Sequence, residues 1–169
     1  PADVHAAWFR RQMEGGDRRA WIIAMDDRPV GSAFISGINP ENRHATWAFY
    51  LADPATRGQG VGGAVEYLVL EYAFGTLGLH KLCCEVLSFN AAVVAMHRTH
   101  GFEQEGVLRE HYWRDGQWVD VHVLALSEGR WRQLREGFGA KLMARGLIAA
   151  AGVTSATADS RHRELVGVS

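Results

Sequence analysis

Asp53-Pro54-Ala55-Thr56-Arg57-Gly58-Gln59-Gly60-Val61-Gly62-Gly63 carries four glycines within its last six positions and runs directly into a helical pattern. Without side chains at 58, 60, 62 and 63, backbone N–H groups can close on an anion unobstructed. From Gly60 to Leu77 the apolar residues Val61, Val65, Leu68, Val69 and Tyr72 fall on one helical face, and Gly78 stands where a left-handed cap is expected. The positive end of that helix therefore points at the glycines, and a diphosphate is the natural ligand. Two other readings compete. Gly58, Gly60 and Gly63 also fit the dinucleotide fingerprint G-x-G-x-x-G, with Glu85 about 20 residues on, and a purely structural turn uses the same residues. The dinucleotide fingerprint needs its first glycine at a strand end, whereas Asp53 to Arg57 intervene here, and it needs further parallel βαβ units.

Outward from the loop, the chain does not supply those units. Downstream, Lys81 to Leu87 reads as a short strand, Asn90 as the N-cap of a helix from Ala91 to His100, and Gly101 as its end. Phe102 to Tyr112 and Trp118 to Leu126 then flank Asp115-Gly116, a strong hairpin turn signal. Upstream, Trp21 to Ala24, Val30 to Ile38 and Ala45 to Ala52 are separated by turn-rich segments and read as an antiparallel meander, preceded by a short helix from Asp3 to Met13. After Arg130 glycines interrupt the pattern. Residues 1–130 are therefore expected to form the domain, and 131–169 a C-terminal extension, partly disordered or in contact with another subunit. Arg130, Arg132, Arg135, Lys141 and Arg145 give that extension a basic bias.

At 169 residues the chain has the size of one domain that buries about 68–70% of its unfolded surface. Charged residues make up 22% and apolar ones 47%, and the formal charge is −1, so disorder and a uniformly basic nucleic-acid binder are both disfavoured. A charged ligand must be met locally. Cys83 and Cys84 are adjacent in a strand and cannot build a disulfide framework. With no run near ~20 apolar residues, the expectation is a cytoplasmic protein without stable membrane association.

Asp53-x-x-x-Arg57-Gly58-x-Gly60-x-Gly62, followed by Glu85, Asn90 and Gly101-Phe102 at this spacing, resembles the Gcn5-related N-acetyltransferases from Trp21 to about Leu126. The resemblance implies an α+β fold: a mixed, mostly antiparallel sheet flanked by helices and splayed at the cofactor site. It implies acetyl-coenzyme A as co-substrate and no metal. Backbone groups of Tyr50, Leu51 and Ala52 would hold the pantetheine arm, as an added strand would. Arg57, Gly58, Gln59, Gly60, Val61, Gly62 and Gly63 would cradle the pyrophosphate, and Asn90 would touch the cofactor. A further strand and helix before Asp3, and a homodimer, are also implied.

Acetyl transfer needs an uncharged amine, a polarised thioester carbonyl and a proton for the departing thiolate. Strand alternation puts Glu85 on the face opposite Cys84 and Val86, where it is either a general base or a solvated strand glutamate. The resemblance, to members with a glutamate at this place, favours the base. The family's usual proton donor is a tyrosine seven residues after the asparagine, and here that residue is His97. An imidazole with an unperturbed pKa of ~6.5 is only partly protonated at neutral pH, so His97 is a proton donor or an ordinary surface or cofactor-packing histidine. His97 and His100 lie three apart on one helix, with no further ligand set of metal spacing around them. His111 and His122 read as structural residues within strands.

For the acceptor, stretches such as Leu70-Glu71-Tyr72-Ala73-Phe74, Glu105 to His111 and Asp115-Gly116-Gln117-Trp118 resemble acetyltransferases of pseudaminic acid biosynthesis, the route to a sugar used in flagellin glycosylation. That implies the 4-amino group of a UDP-linked amino sugar as substrate. Trp47, Tyr112 and Trp113 would stack on its rings, and Arg109 or Arg114 would meet its phosphates. The alternatives are a protein N-terminal acetyltransferase and a catalytically silent module that binds coenzyme A.

Overall fold

The computed structural model describes residues 16–148 and, by backbone alone, 164–168. The meander begins with β1 (Arg19–Met25) and β2 (Arg28–Asn39), joined by Asp26 and Asp27 with φ of 49° and 59°. Two consecutive left-handed residues make the tight turn whose twist matches a hairpin, and aspartate tolerates that conformation. Strand β3 (His44–Leu51) continues the meander, and β4 (Lys81–Leu87) lies beside it in parallel. The predicted hairpin is β5 (Glu103–Arg114) and β6 (Gln117–Ser127), turned at Asp115 and Gly116 with φ of 49° and 81°. With β7 (Glu164–Val168) the sheet order is β5-β6-β4-β3-β2-β1-β7, antiparallel except at β3/β4 and β1/β7.

The helical connections lie where the sequence places them. Helix α1 (Val61–Glu71) continues into a wide turn over Tyr72–Thr76, and α2 (Ala91–Thr99) follows β4. Gly78 and Gly101, with φ of 62° and 96°, close these two segments. The buried face of α1 (Val61, Ala64, Val65, Val69, Leu70) packs with Ile35, Trp47, Leu82 and Leu124 of the sheet in one core. The helix expected from Asp3 to Met13 lies outside the described residues.

The tail departs from expectation. Helix α3 (Glu128–Ala144) starts two residues before the anticipated domain boundary, capped by Ser127, whose hydroxyl accepts from the Arg130 N–H. It lies along α1 and belongs to the core. Trp131 is 2% exposed, its indole N–H donates to Glu71, and its ring and that of Phe138 both meet Tyr67 edge-on at 5.5 Å. Gly139 permits this approach, since a Cβ there would sit 2.8 Å from the Tyr67 hydroxyl. The interrupting glycines hid the helix from a periodicity argument because one of them is a packing notch. At its end the N–H of Leu147 donates to Leu142 O and that of Gly146 to Met143 O, with Gly146 at φ 69°. This is the Schellman arrangement, completed by burial of both Leu142 and Leu147.

Gly31 of β2 marks a close approach: a Cβ there would lie 2.1 Å from the carbonyl oxygen of Tyr50 on β3. Backbone cannot yield as a side-chain tip does. Gly31→Ala is therefore expected to cost about 1–3 kcal/mol, the range for forced overpacking. Urea denaturation reads this as a lowered midpoint, and an unchanged midpoint would contradict the fit described.

Candidate functional site

The glycine loop hangs from Asp53. Its Oδ1 accepts from the Ala55 N–H and its Oδ2 from Arg28, both at 2.8 Å, which fixes the turn at Pro54–Thr56 before the glycines. Gly58 and Gly60 take φ of 75° and 86°, so the loop needs glycine for its backbone path. Gly60 is the N-cap of α1 and offers no side-chain acceptor, and the first turn contains no acidic residue. The first intrahelical bond runs from Ala64 N to Gly60 O, which leaves the N–H groups of Val61, Gly62 and Gly63 at the open end of the helix. A helix start stripped of its usual cap is suited to an external anion. Gly62 and Gly63 have a second cause. A Cβ at Gly62 would meet Met96 Sδ at 3.2 Å, and one at Gly63 would meet His100 Cε1 at 3.3 Å, so both glycines also let α2 approach.

Beside the loop the sheet opens. Strands β3 and β4 pair only over His44↔Lys81, Ala45↔Leu82 and Thr46↔Cys83, and carry no further pairing toward Leu51 and Leu87. The Ala52 N–H donates to Val30 O at 2.8 Å, which fixes the ladder alternation. Tyr50 and Ala48 pair toward β2, and Phe49 and Leu51 turn their N–H and C=O groups toward the opening. Of the expected pantetheine contacts, Leu51 thus lies on the open edge, whereas the Ala52 amide is committed to β2. Phe49, which sequence reasoning missed, joins Leu51. Asn90 caps α2 without a side-chain cap bond, so its amide group is exposed and available. An extended thioester ending in a diphosphate matches this combination of free helix amides and a bare strand edge.

The acid–base candidates fall on opposite faces of the sheet. Glu85 is exposed, two residues past the last β3/β4 pair, on the face away from Cys84 and Val86. His97 is 3% exposed on the helix side, edge-on to Trp47 with ring centroids 5.5 Å apart. Its Nδ1 lies 2.5 Å from Oε1 of Glu66, a fully buried carboxylate of α1, and His100 Nδ1 meets the other oxygen. Burial alone would raise the pKa of Glu66, but hydrogen bonds from His100 and His97, with their charge, hold it below its ordinary value. Burial and the Glu66 charge in turn push the Cys84 thiol far up, which keeps it unreactive. Glu66 was absent from the sequence reading. Its one signal is a carboxylate directly beside Val65 on the apolar stripe of α1.

The proposed substrate contacts divide. Trp47 is 1% exposed and stacks on Phe49, so it belongs to the core and offers no face to a uracil ring. Its indole N–H is nevertheless buried with no hydrogen-bond partner among the described residues, one residue beyond the last β3/β4 pair. Arg109 is exposed but lies 3.5 Å from Asp120, while Tyr112 and Trp113 are 45% and 58% exposed on the β5/β6 hairpin. Because Leu87 pairs with Val121, the hairpin tip projects past the C-terminal end of β4, the end at which the sheet opens. Trp118, not singled out from sequence, meets Trp113 there at 5.2 Å. Among the described residues no cluster of three or more His, Cys, Asp or Glu could hold a metal ion.

Comparison with known proteins agrees with this geometry. Residues 5–123 match the family model described as an acetyltransferase (GNAT) domain. A probable N-acetyltransferase, YjcK, of Bacillus subtilis (strain 168) is 31% identical over 105 residues, 62% of this chain and 58% of that protein. The spermidine N(1)-acetyltransferase of Vibrio cholerae is 25% identical over 118 residues, 70% of this chain and 68% of its own. The first two curated relatives are spanned over only 58% and 63% of their lengths. The fold is shared with the spermidine N-acetyltransferase from Vibrio cholerae solved in complex with CoA and spermine, at a TM-score of 0.71 and 22% identity over 77% of each chain. Matched over most of its length, with the uncapped glycine loop and the opened sheet in place, the chain belongs to the acetyltransferase (GNAT) family, whose co-substrate is acetyl-coenzyme A.

Proposed function

We propose that this chain moves an acetyl group from acetyl-coenzyme A to a primary amine. The observation that carries the reading is the helix start at Gly60, which has no cap of its own and adjoins the bare β3 edge. In this reading the amides from Gly58 to Gly63, with Arg57, take the pyrophosphate, and Phe49 and Leu51 pair with the pantetheine arm. Glu85 accepts a proton as the amine nitrogen bonds to the thioester carbon. His97 gives a proton to the sulfur as the carbon–sulfur bond breaks. The Nδ1 of His97 is engaged by Glu66, so Nε2 is the atom for that transfer, and Glu66 is the positioning residue.

For the acceptor we favour an amine of the polyamine class. Relatives carry the name spermidine N(1)-acetyltransferase, and the burial of Trp47 removes one ring that a sugar nucleotide would use. The UDP-linked amino sugar is the second reading, supported by the exposed rings of Tyr112 and Trp113 at the open end of the sheet. Release of free coenzyme A thiol is to be measured with acetyl-coenzyme A and, in turn, spermidine, the UDP-amino sugar and an alanine-led peptide. Turnover with spermidine is expected. Turnover with the sugar or the peptide alone would replace the acceptor, and coenzyme A binding without any turnover would make the chain a silent binding module.

A further inference from the structure

We infer that Arg145, at the end of α3, is a ligand of the coenzyme A phosphates. A Cβ built on Gly60 would lie 2.8 Å from Leu147 Cδ1, 3.0 Å from Arg145 Nη2 and 3.1 Å from its Cζ. The guanidinium is thus in contact distance of the loop residue that caps α1. This placement follows from the fold. Helix α3 runs back along α1, from Trp131 and Arg135 beside Glu71 to its C-terminus beside Gly60. The Schellman turn at Arg145 and Gly146 then drives Leu147 into the core, where it is 8% exposed, and this anchor fixes the backbone that carries the guanidinium. Arg145 itself is exposed, and its guanidinium has no ion pair or hydrogen bond among the described residues, unlike that of Arg135, which is tied to Glu71.

A planar guanidinium suits two linked phosphates, because its fork of donors meets their oxygens in pairs. The chain has almost no net charge, so a polyanion must find its cations at the site. Arg57 is one and Arg145 a second, contributed by a segment outside residues 5–123 of the family match. The segment following α3 therefore forms one wall of the phosphate site.

The inference rests on the proposed use of acetyl-coenzyme A, and calorimetric binding to the full chain separates the two. Wild type, Arg145→Gln and Arg145→Lys are titrated with coenzyme A and with pantetheine, which lacks the diphosphate, and thermal melting verifies that each variant is folded. Arg145→Gln is expected to weaken coenzyme A binding about tenfold while changing pantetheine binding less than about twofold, and Arg145→Lys to recover part of the loss. Unchanged coenzyme A affinity in a folded Arg145→Gln protein, or equal weakening for both ligands, overturns the role of Arg145 alone. Failure of the wild type to bind coenzyme A overturns the functional reading as well.

Discussion

Glu66→Ala is expected to lower stability by about 3–5 kcal/mol, the cost of breaking a buried charged network by removing one partner. In a chain of this length that is a fall in melting temperature on the order of 10 °C. His97 and His100 would both lose the group that their Nδ1 atoms face, inside a site where His97 is 3% exposed and water offers little replacement. The effect depends on pH with a definite sign. Because the pKa of Glu66 is lowered from its ordinary 4.5, its contribution is fully present above that value and is lost as pH falls through the depressed one. Urea midpoints of wild type and Glu66→Gln should therefore differ at pH 7 and converge in acid below pH 4.5. A gap that is absent at pH 7, or that widens on acidification, would refute the paired-carboxylate account.

Glu85→Gln is expected to reduce kcat by about 10²-fold or more at neutral pH, in the range for loss of a general base, with little change in the KM for acetyl-coenzyme A. The carboxylate makes no hydrogen bond or ion pair among the described residues, so this substitution leaves the fold undisturbed. Part of the lost rate should return as pH rises toward the pKa of an alkylamine, about 10, because solution then deprotonates the acceptor. A loss below threefold, or one with no recovery in alkali, would reassign Glu85 as a solvated strand residue.

The contrast between these two glutamates shows what each level of structure contributes. Glu85 was visible as a candidate because strand alternation is local: a period of two puts it opposite Cys84 and Val86 whatever the rest of the molecule does. Glu66 was not visible, because only the packing of α1 on α2 brings its carboxylate against imidazoles 31 and 34 residues away. The same packing turned His97 from a surface candidate into a residue whose Nδ1 is already engaged, and it buried Trp47.

By itself the sequence determined strands β1 to β6, the hairpin turn at Asp115-Gly116, both helices around β4, and the glycine loop with its bare helix start. Each is set by backbone conformation and periodicity within a few residues. Only the tertiary structure decided that β3 and β4 part beyond Thr46, that Glu66 joins His97 to His100, and that α3 is core. It alone brings Arg145 to Gly60, 85 positions earlier in the chain. Such contacts depend on how helices lie against one another, and no local pattern encodes that.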